Sequence, residues 1–204
     1  MGFLRRWAGR CAALAVAILP VAACESYDAR STLQVHFLAT PAKGVDSVDL
    51  RVVEVQVHLA SEASGTGDSE AKGSDSGSGS GDAWHALAVN RTLELGSAQA
   101  PTHDLGQLRL DEGWIDQLRV TLASPTTASA GGKTCTLVVG QLPKDGIKIS
   151  SPFRPFAVYH AVEHAIWLNL RLDQALTKSG DCWSLGPVLE VKRFTTGGKD
   201  VAVQ

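Results

Sequence analysis

An excess of basic charge is the first thing missing from this chain: 19 Lys and Arg stand against 21 Asp and Glu, a formal net charge of −2. Without a basic stripe to neutralise phosphates, nucleic acid is excluded as a partner class. Cysteine is scarce as well, with four in 204 residues. They form no C-x-x-C pair and no Cys/His cluster of the kind that holds structural zinc. No apolar run reaches the roughly 20 residues a bilayer-spanning helix needs. A G-x-S-x-G nucleophile turn is absent, as is a glycine-rich loop leading from a strand into a helix. Gly131-Gly132 and Gly197-Gly198 read as turns. These absences argue against an enzyme and against a cofactor.

What is present begins with an export signal. Arg5, Arg6 and Arg10 precede any acidic residue, and a short apolar stretch runs from Cys11 to Leu19. Val21-Ala22-Ala23-Cys24 then closes the segment. The stretch is too short to span a bilayer but suits a signal peptide over residues 1–23. The quartet resembles the lipobox of bacterial lipoproteins, in which the cysteine is acylated and becomes the first residue of the mature chain. By that resemblance Cys24 is the lipid attachment point, and Glu25 after it implies the outer membrane. The alternative is an ordinary secretory signal cut nearby, with Cys24 incidental. The surroundings of Arg5-Arg6 do not match a twin-arginine signal.

Removing residues 1–23 takes away three of the 19 basic residues and no acid, leaving 16 basic against 21 acidic groups and a net charge of −5. Cys11 leaves with the signal and Cys24 is taken by lipid. Cys135 and Cys182 remain, and in an oxidising compartment an isolated pair is most simply a disulfide. Two buried free thiols are the alternative.

Residues 24–30 read as a tether and 31–196 as one β-domain, with 197–204 as a C-terminal tail. Alternation marks the first strand, with Leu33, Val35 and Phe37 on one side and Gln34 and His36 on the other. Val48, Leu50 and Val52 alternate in one phase, and Val53, Val55, Val57 and Leu59 in the other. That slip predicts a β-bulge at Val52–Val53. Residues 61–82 are almost entirely Ser, Gly, Asp, Glu, Ala and Thr, with five acids and one lysine. They read as a flexible insertion, and the aspartate spacing fits no EF-hand or nonapeptide calcium site. Short apolar runs bounded by turn residues then recur to Phe194, and helical turns are expected only at Leu110–Asp116 and Asp173–Lys178. The class is all-β, a sandwich with a long insertion. Trp114, in phase with Leu118 and Val120, and Trp183, in phase with Leu185, are expected in the core.

The order of several pieces resembles the DUF4382 family of bacterial lipoproteins over roughly Leu33 to Val191. Phe37-Leu38-Ala39-Thr40-Pro41 stands where the family has L-T-D-A-P, with Ala39 replacing the aspartate. Val48 to His58 is similar to its V-x-V-T-I-x-x-V-x-V-H strand. Trp84-His85-Ala86-Leu87 and Asp104-Leu105-Gly106-Gln107-Leu108 fit the next two segments. Gly113 to Val120 is similar to G-x-Y-x-Q-I-R-L, with Ile115 in place of the tyrosine. Gly146-Ile147-Lys148-Ile149 matches G-I-K-L without the preceding Pro-Ser. Asp173, Ser179 and Trp183-x-Leu185-x-Pro187-Val188 resemble the ending. The resemblance implies an immunoglobulin- or transthyretin-type sandwich on the cell envelope, and it brings no catalytic residues.

Two groups of residues invite chemistry. His160-Ala161-Val162-Glu163-His164 spells H-x-x-E-H, a zinc signature that requires a helix to place both histidines on one face. The residues that follow alternate instead. Ile166, Leu168, Leu170 and Leu172 face one way, which predicts a strand and a hairpin end for the histidines. On the other side of that strand lie Trp167, Asn169 and Arg171, an aromatic with hydrogen-bonding neighbours such as a sugar-binding face uses. The alternative is that Trp167 covers a sheet edge or packs under the long loop. The function expected is a membrane-anchored envelope lipoprotein with a non-enzymatic binding or structural role. Its partners would be the membrane, through the lipid, and a glycan or an envelope protein. A carbohydrate- or surface-ligand-binding module at the Trp167 face is the alternative, and a zinc-dependent hydrolase at His160 and His164 comes third.

Overall fold

The computed structural model describes residues 30–61, 83–96, 101–139, 146–149, 154–186 and 188–203. The signal segment, Cys24, most of the tether and the acidic insertion lie outside the described residues. Within them the strands are β1 (Ser31–Thr40), β2 (Ser47–Ala60), β3 (Ala83–Leu95), β4 (His103–Leu110), β5 (Gly113–Ala130), β6 (Lys133–Thr136) and β7 (Val138–Val139). There follow β8 (Ile147–Ile149), β9 (Phe156–Val158), β10 (Glu163–Arg171), the single turn α1 (Leu172–Ala175), β11 (Leu176–Ser179), β12 (Cys182–Leu185), β13 (Leu189–Thr196) and β14 (Lys199–Val201).

The strands make two extensive sheets that pack face to face and do not close into a barrel. One has the order β14-β13-β10-β1-β4, the other β3-β2-β5-β6 with β8 and β9 paired to β5, and β11-β12-β7 form a small third sheet. Most pairs are antiparallel, but β1 runs parallel to β10, with Leu33 opposite His164 and Phe37 opposite Leu168. The alternation of β1 and β10 is what the sheets bury. Leu33, Val35, Phe37, Ile166, Leu168 and Leu170 from one sheet meet Val48, Leu50, Val55, Val57, Leu118 and Val120 from the other, all 1% exposed or less. Phe156 and Phe194 stack in the core, with ring centroids 4.2 Å apart.

The slip at Val52–Val53 is a bulge, as the phase change predicts. Register shifts between Val52 and Glu54 against both neighbours, and Val53 is left half-buried while Val52 and Val55 are fully buried. Opposite it, Asn90 adopts a φ of 48°, a left-handed conformation that Asn tolerates better than most residues. The segment on either side of Asn90 is therefore one irregular strand, β3.

Three expectations are corrected. Leu110–Asp116 is not helical: it closes β4 and opens β5. Gly113 allows this, because a Cβ there would sit 2.8 Å from the Ala60 carbonyl oxygen and 2.9 Å from Leu59 Cγ. Trp114 is only half-buried, while Ile115 is fully buried. The register shift between His58 and Leu59 against β5 hands the core position to the residue beside the tryptophan. Finally, the C-terminal tail contains β14, which returns across the Gly197-Gly198 turn, both at positive φ, to pair with β13. Trp183 does pack against the core, partly buried.

Cys135 on β6 and Cys182 on β12 form a disulfide, with Cα atoms 5.8 Å apart and a sequence separation of 47. It ties the large sheet carrying β5 and β6 to the small sheet.

Candidate functional site

The H-x-x-E-H residues occupy a turn. Val162 N–H donates back to the Tyr159 carbonyl, and Ala161 has a φ of 54°, so the segment is a tight reversal into β10. His160 is exposed on the turn and Glu163 is exposed at the first position of β10. His164 faces the opposite way and is 1% exposed. Its Nε2 accepts the Tyr159 backbone N–H at 3.2 Å, and its Nδ1 lies 3.1 Å from Thr196 Oγ1. A neutral ring that accepts at Nε2 carries its proton on Nδ1, which therefore donates to Thr196. Burial holds the pKa below the ordinary 6.5. With both ring nitrogens engaged, His164 has no lone pair for a metal. Among the described residues no group of three or more His, Cys, Asp or Glu could hold a metal ion.

Trp167, Asn169 and Arg171 do share the outer face of β10, but each is engaged there. His36 on β1 stacks against the Trp167 ring at 4.8 Å and 24°. Arg193 on β13, the strand on the other side, lies over the same ring at 4.7 Å and is held by Asp200 at 2.5 Å. The indole is thus clasped from both flanking strands and half-buried. Asn169 is 1% exposed, and its amide donates to Thr40 Oγ1 at 3.0 Å and Glu190 Oε1 at 2.7 Å. Arg171 makes a two-pronged pair with Asp173, at 3.0 and 2.8 Å, and lies 3.6 Å from Glu190. The Arg171 hydrogen bond holds the Asp173 carboxyl below its usual pKa of 3.8. With two guanidiniums set among three carboxylates and the Asn169 amide held by Thr40 and Glu190, the face is a polar lattice over the sheet.

The other sheet carries a second cluster of this kind, which sequence reasoning missed. His58 on β2 is 5% exposed, and its Nδ1 lies 2.6 Å from Asp116 Oδ1 on β5. Trp84 on β3 packs on the His58 ring at 4.9 Å, and the Arg119 guanidinium sits 4.0 Å over Trp84. His85 beside it is half-buried, and burial lowers its pKa, opposed by Asp111 and reinforced by His58. A carboxylate on Nδ1 is the arrangement that fixes a histidine tautomer in catalytic dyads. Here the indole packs against the imidazole at 52°, and the cluster bridges β3, β2 and β5. Only the register could have revealed it: His58 pairs with Trp84 on one side and Gln117 on the other.

Cys24 lies outside the described residues. No helix among the described residues is long and apolar enough to cross a membrane. No protein-family model matches the chain, and no curated protein matches it.

Proposed function

We propose that this protein is an exported, lipid-anchored component of the bacterial cell envelope whose β-domain binds or braces rather than turning over a substrate. One observation carries the reading: the four cysteines divide by position. Cys11 sits inside the signal segment, Cys24 closes it in a lipobox-like quartet, and Cys135 and Cys182 are joined to each other. Disulfides persist in oxidising compartments and are rare in the cytosol, so the pair and the signal support the same destination. The outer membrane is the face that Glu25 supports.

The DUF4382 resemblance supports this assignment. Its pieces fall in order on β1, β2, β3, β4, β5, β8, α1, β11 and β12, which take in strands of both large sheets and the disulfide-linked edge but not β10 or β13. An immunoglobulin- or transthyretin-type sandwich is the finer fold it favours. Fractionation tests the anchor. The natural protein should enter solution only with detergent, and Cys24→Ser should release it without detergent. A natural chain that is soluble without detergent would refute the reading. Binding through the Trp167 face is the secondary reading, favoured by the concentration of aromatic and hydrogen-bonding groups there. A ligand that stacks on the indole has to displace His36 or Arg193, so Trp167→Ala should abolish retention on a glycan array if the reading holds.

A further inference from the structure

The point where the chain enters the sandwich is fixed by contacts from a loop that leaves an aromatic ring in solvent. Ser31 Oγ donates to the Tyr159 carbonyl, and Thr32 N–H donates to the Val162 carbonyl at 3.3 Å. The first residues of β1 are thus latched to the turn between β9 and β10. That same end gathers the other sheet. Val158 pairs with Gly113, and Trp114 pairs with both Ala157 and Ala60. Ala83, the first residue of β3, pairs with Leu59, so both ends of the acidic insertion leave from this pole too. The opposite pole holds the Pro41–Gly44 turn, the Gly131-Gly132 turn and the disulfide. Asp46 there accepts the Gly131 N–H at 2.8 Å.

Six residues separate Cys24 from Ser31. Fully extended, that connection reaches about 25 Å, whereas the ten residues of β1 alone span about 33 Å. An acyl group on Cys24 would therefore hold the entry pole within about 25 Å of lipid, with the disulfide pole at the far end of the strands. At the entry pole Tyr159 is the most exposed large hydrophobic residue among those described, at 53%. A tyrosine offers an apolar ring with a polar tip, the combination that settles at the boundary between acyl chains and headgroups.

We infer that the β9–β10 turn is the membrane-facing surface of the domain and that Tyr159 rests in the headgroup layer of the bilayer that holds Cys24. The inference depends on the lipid-anchor reading.

The sequence holds only two tyrosines, Tyr27 and Tyr159, which allows a direct test. The full lipidated protein, labelled with 3-fluorotyrosine and 5-fluorotryptophan, is placed in phosphatidylethanolamine–phosphatidylcholine vesicles carrying a headgroup nitroxide. Fluorine line widths are then compared with those in unlabelled vesicles, with Tyr27→Phe and Trp183→Phe variants assigning the resonances. Tyr27, three residues from Cys24, should broaden strongly. Tyr159 should also broaden, several-fold more than Trp183 at the disulfide pole. Broadening of Tyr27 with a sharp Tyr159 resonance would overturn the membrane-facing turn and leave the anchor standing. Equal broadening of Tyr159 and Trp183 would overturn it too, since the domain would then lie flat. Sharp resonances throughout, with an intact mass that lacks acyl chains, would overturn both the turn and the anchor.

Discussion

Replacing His164 with leucine removes a side chain that works only in its neutral form. The ring is 1% exposed and stacks on Phe194 at 5.7 Å. It also holds two hydrogen bonds, from the Tyr159 N–H and to Thr196 Oγ1. Leucine keeps much of the apolar packing and loses both bonds. At about 1 kcal/mol each, the loss is roughly 2 kcal/mol. For a domain of this size that lowers the Tm by roughly 4–8 °C. The pH dependence carries the sharper test. Burial places the folded-state pKa below the ordinary 6.5 of the unfolded chain. Below pH 6.5 the unfolded state therefore takes up a proton that the folded state resists. Stability falls as the pH drops from 6.5 to the folded pKa, and above 6.5 this residue exacts no penalty. His85 is shifted in the same direction by burial, but it is present in both proteins and cancels in their difference. Urea unfolding of natural protein and His164→Leu from pH 8 to 4.5 should show a gap that is widest above pH 6.5 and narrows below it. A gap that stays constant, or widens in acid, would refute the neutral, doubly bonded histidine.

Breaking the disulfide opens a loop with a sequence separation of 47. In the chain-entropy model the double variant Cys135→Ser/Cys182→Ser should lose about 4 kcal/mol, read by urea unfolding, and a loss near zero would contradict a native bond. Gly113→Ala drives a Cβ against the Ala60 carbonyl and Leu59. It should cost about 1–3 kcal/mol as an overpacked contact, and calorimetry showing an unchanged Tm would disprove that close approach. Trp167→Ala frees His36 and Arg193 from the ring they clasp. A stacked pair and a surface cation–π contact sum to about 1–2 kcal/mol. An unaltered melting temperature would instead mark Trp167 as a ring held open for a ligand.

Side-chain period made the strands of the core readable in advance. Leu33-Val35-Phe37 and Ile166-Leu168-Leu170 alternate without interruption, and the Val52–Val53 slip is a local break in that period. Partnership between strands was not readable, because pairing joins residues far apart in sequence. The parallel match of β1 to β10 and the meeting of His58, Trp84, Asp116 and Arg119 depend on register alone. Trp114 leaves the core for the same reason, since the shift beside Leu59 changes the phase of β5. At β10 the sequence placed Trp167, Asn169 and Arg171 on one face. It could not show that Glu190, Asp173 and Arg193 from neighbouring segments occupy them. The two histidines of H-x-x-E-H looked equivalent in sequence, but the turn at Ala161 sends one to solvent and the other inward.

The most direct test of the account is the intact mass of the protein extracted from membranes, with sequencing of its N-terminal peptide. A chain that begins at Cys24 and carries a diacylglyceryl group, with two further hydrogens missing for the Cys135–Cys182 bond, is the predicted result. A chain that begins elsewhere, or a Cys24 that reacts with thiol reagents, would contradict the lipid anchor and with it the membrane-facing turn.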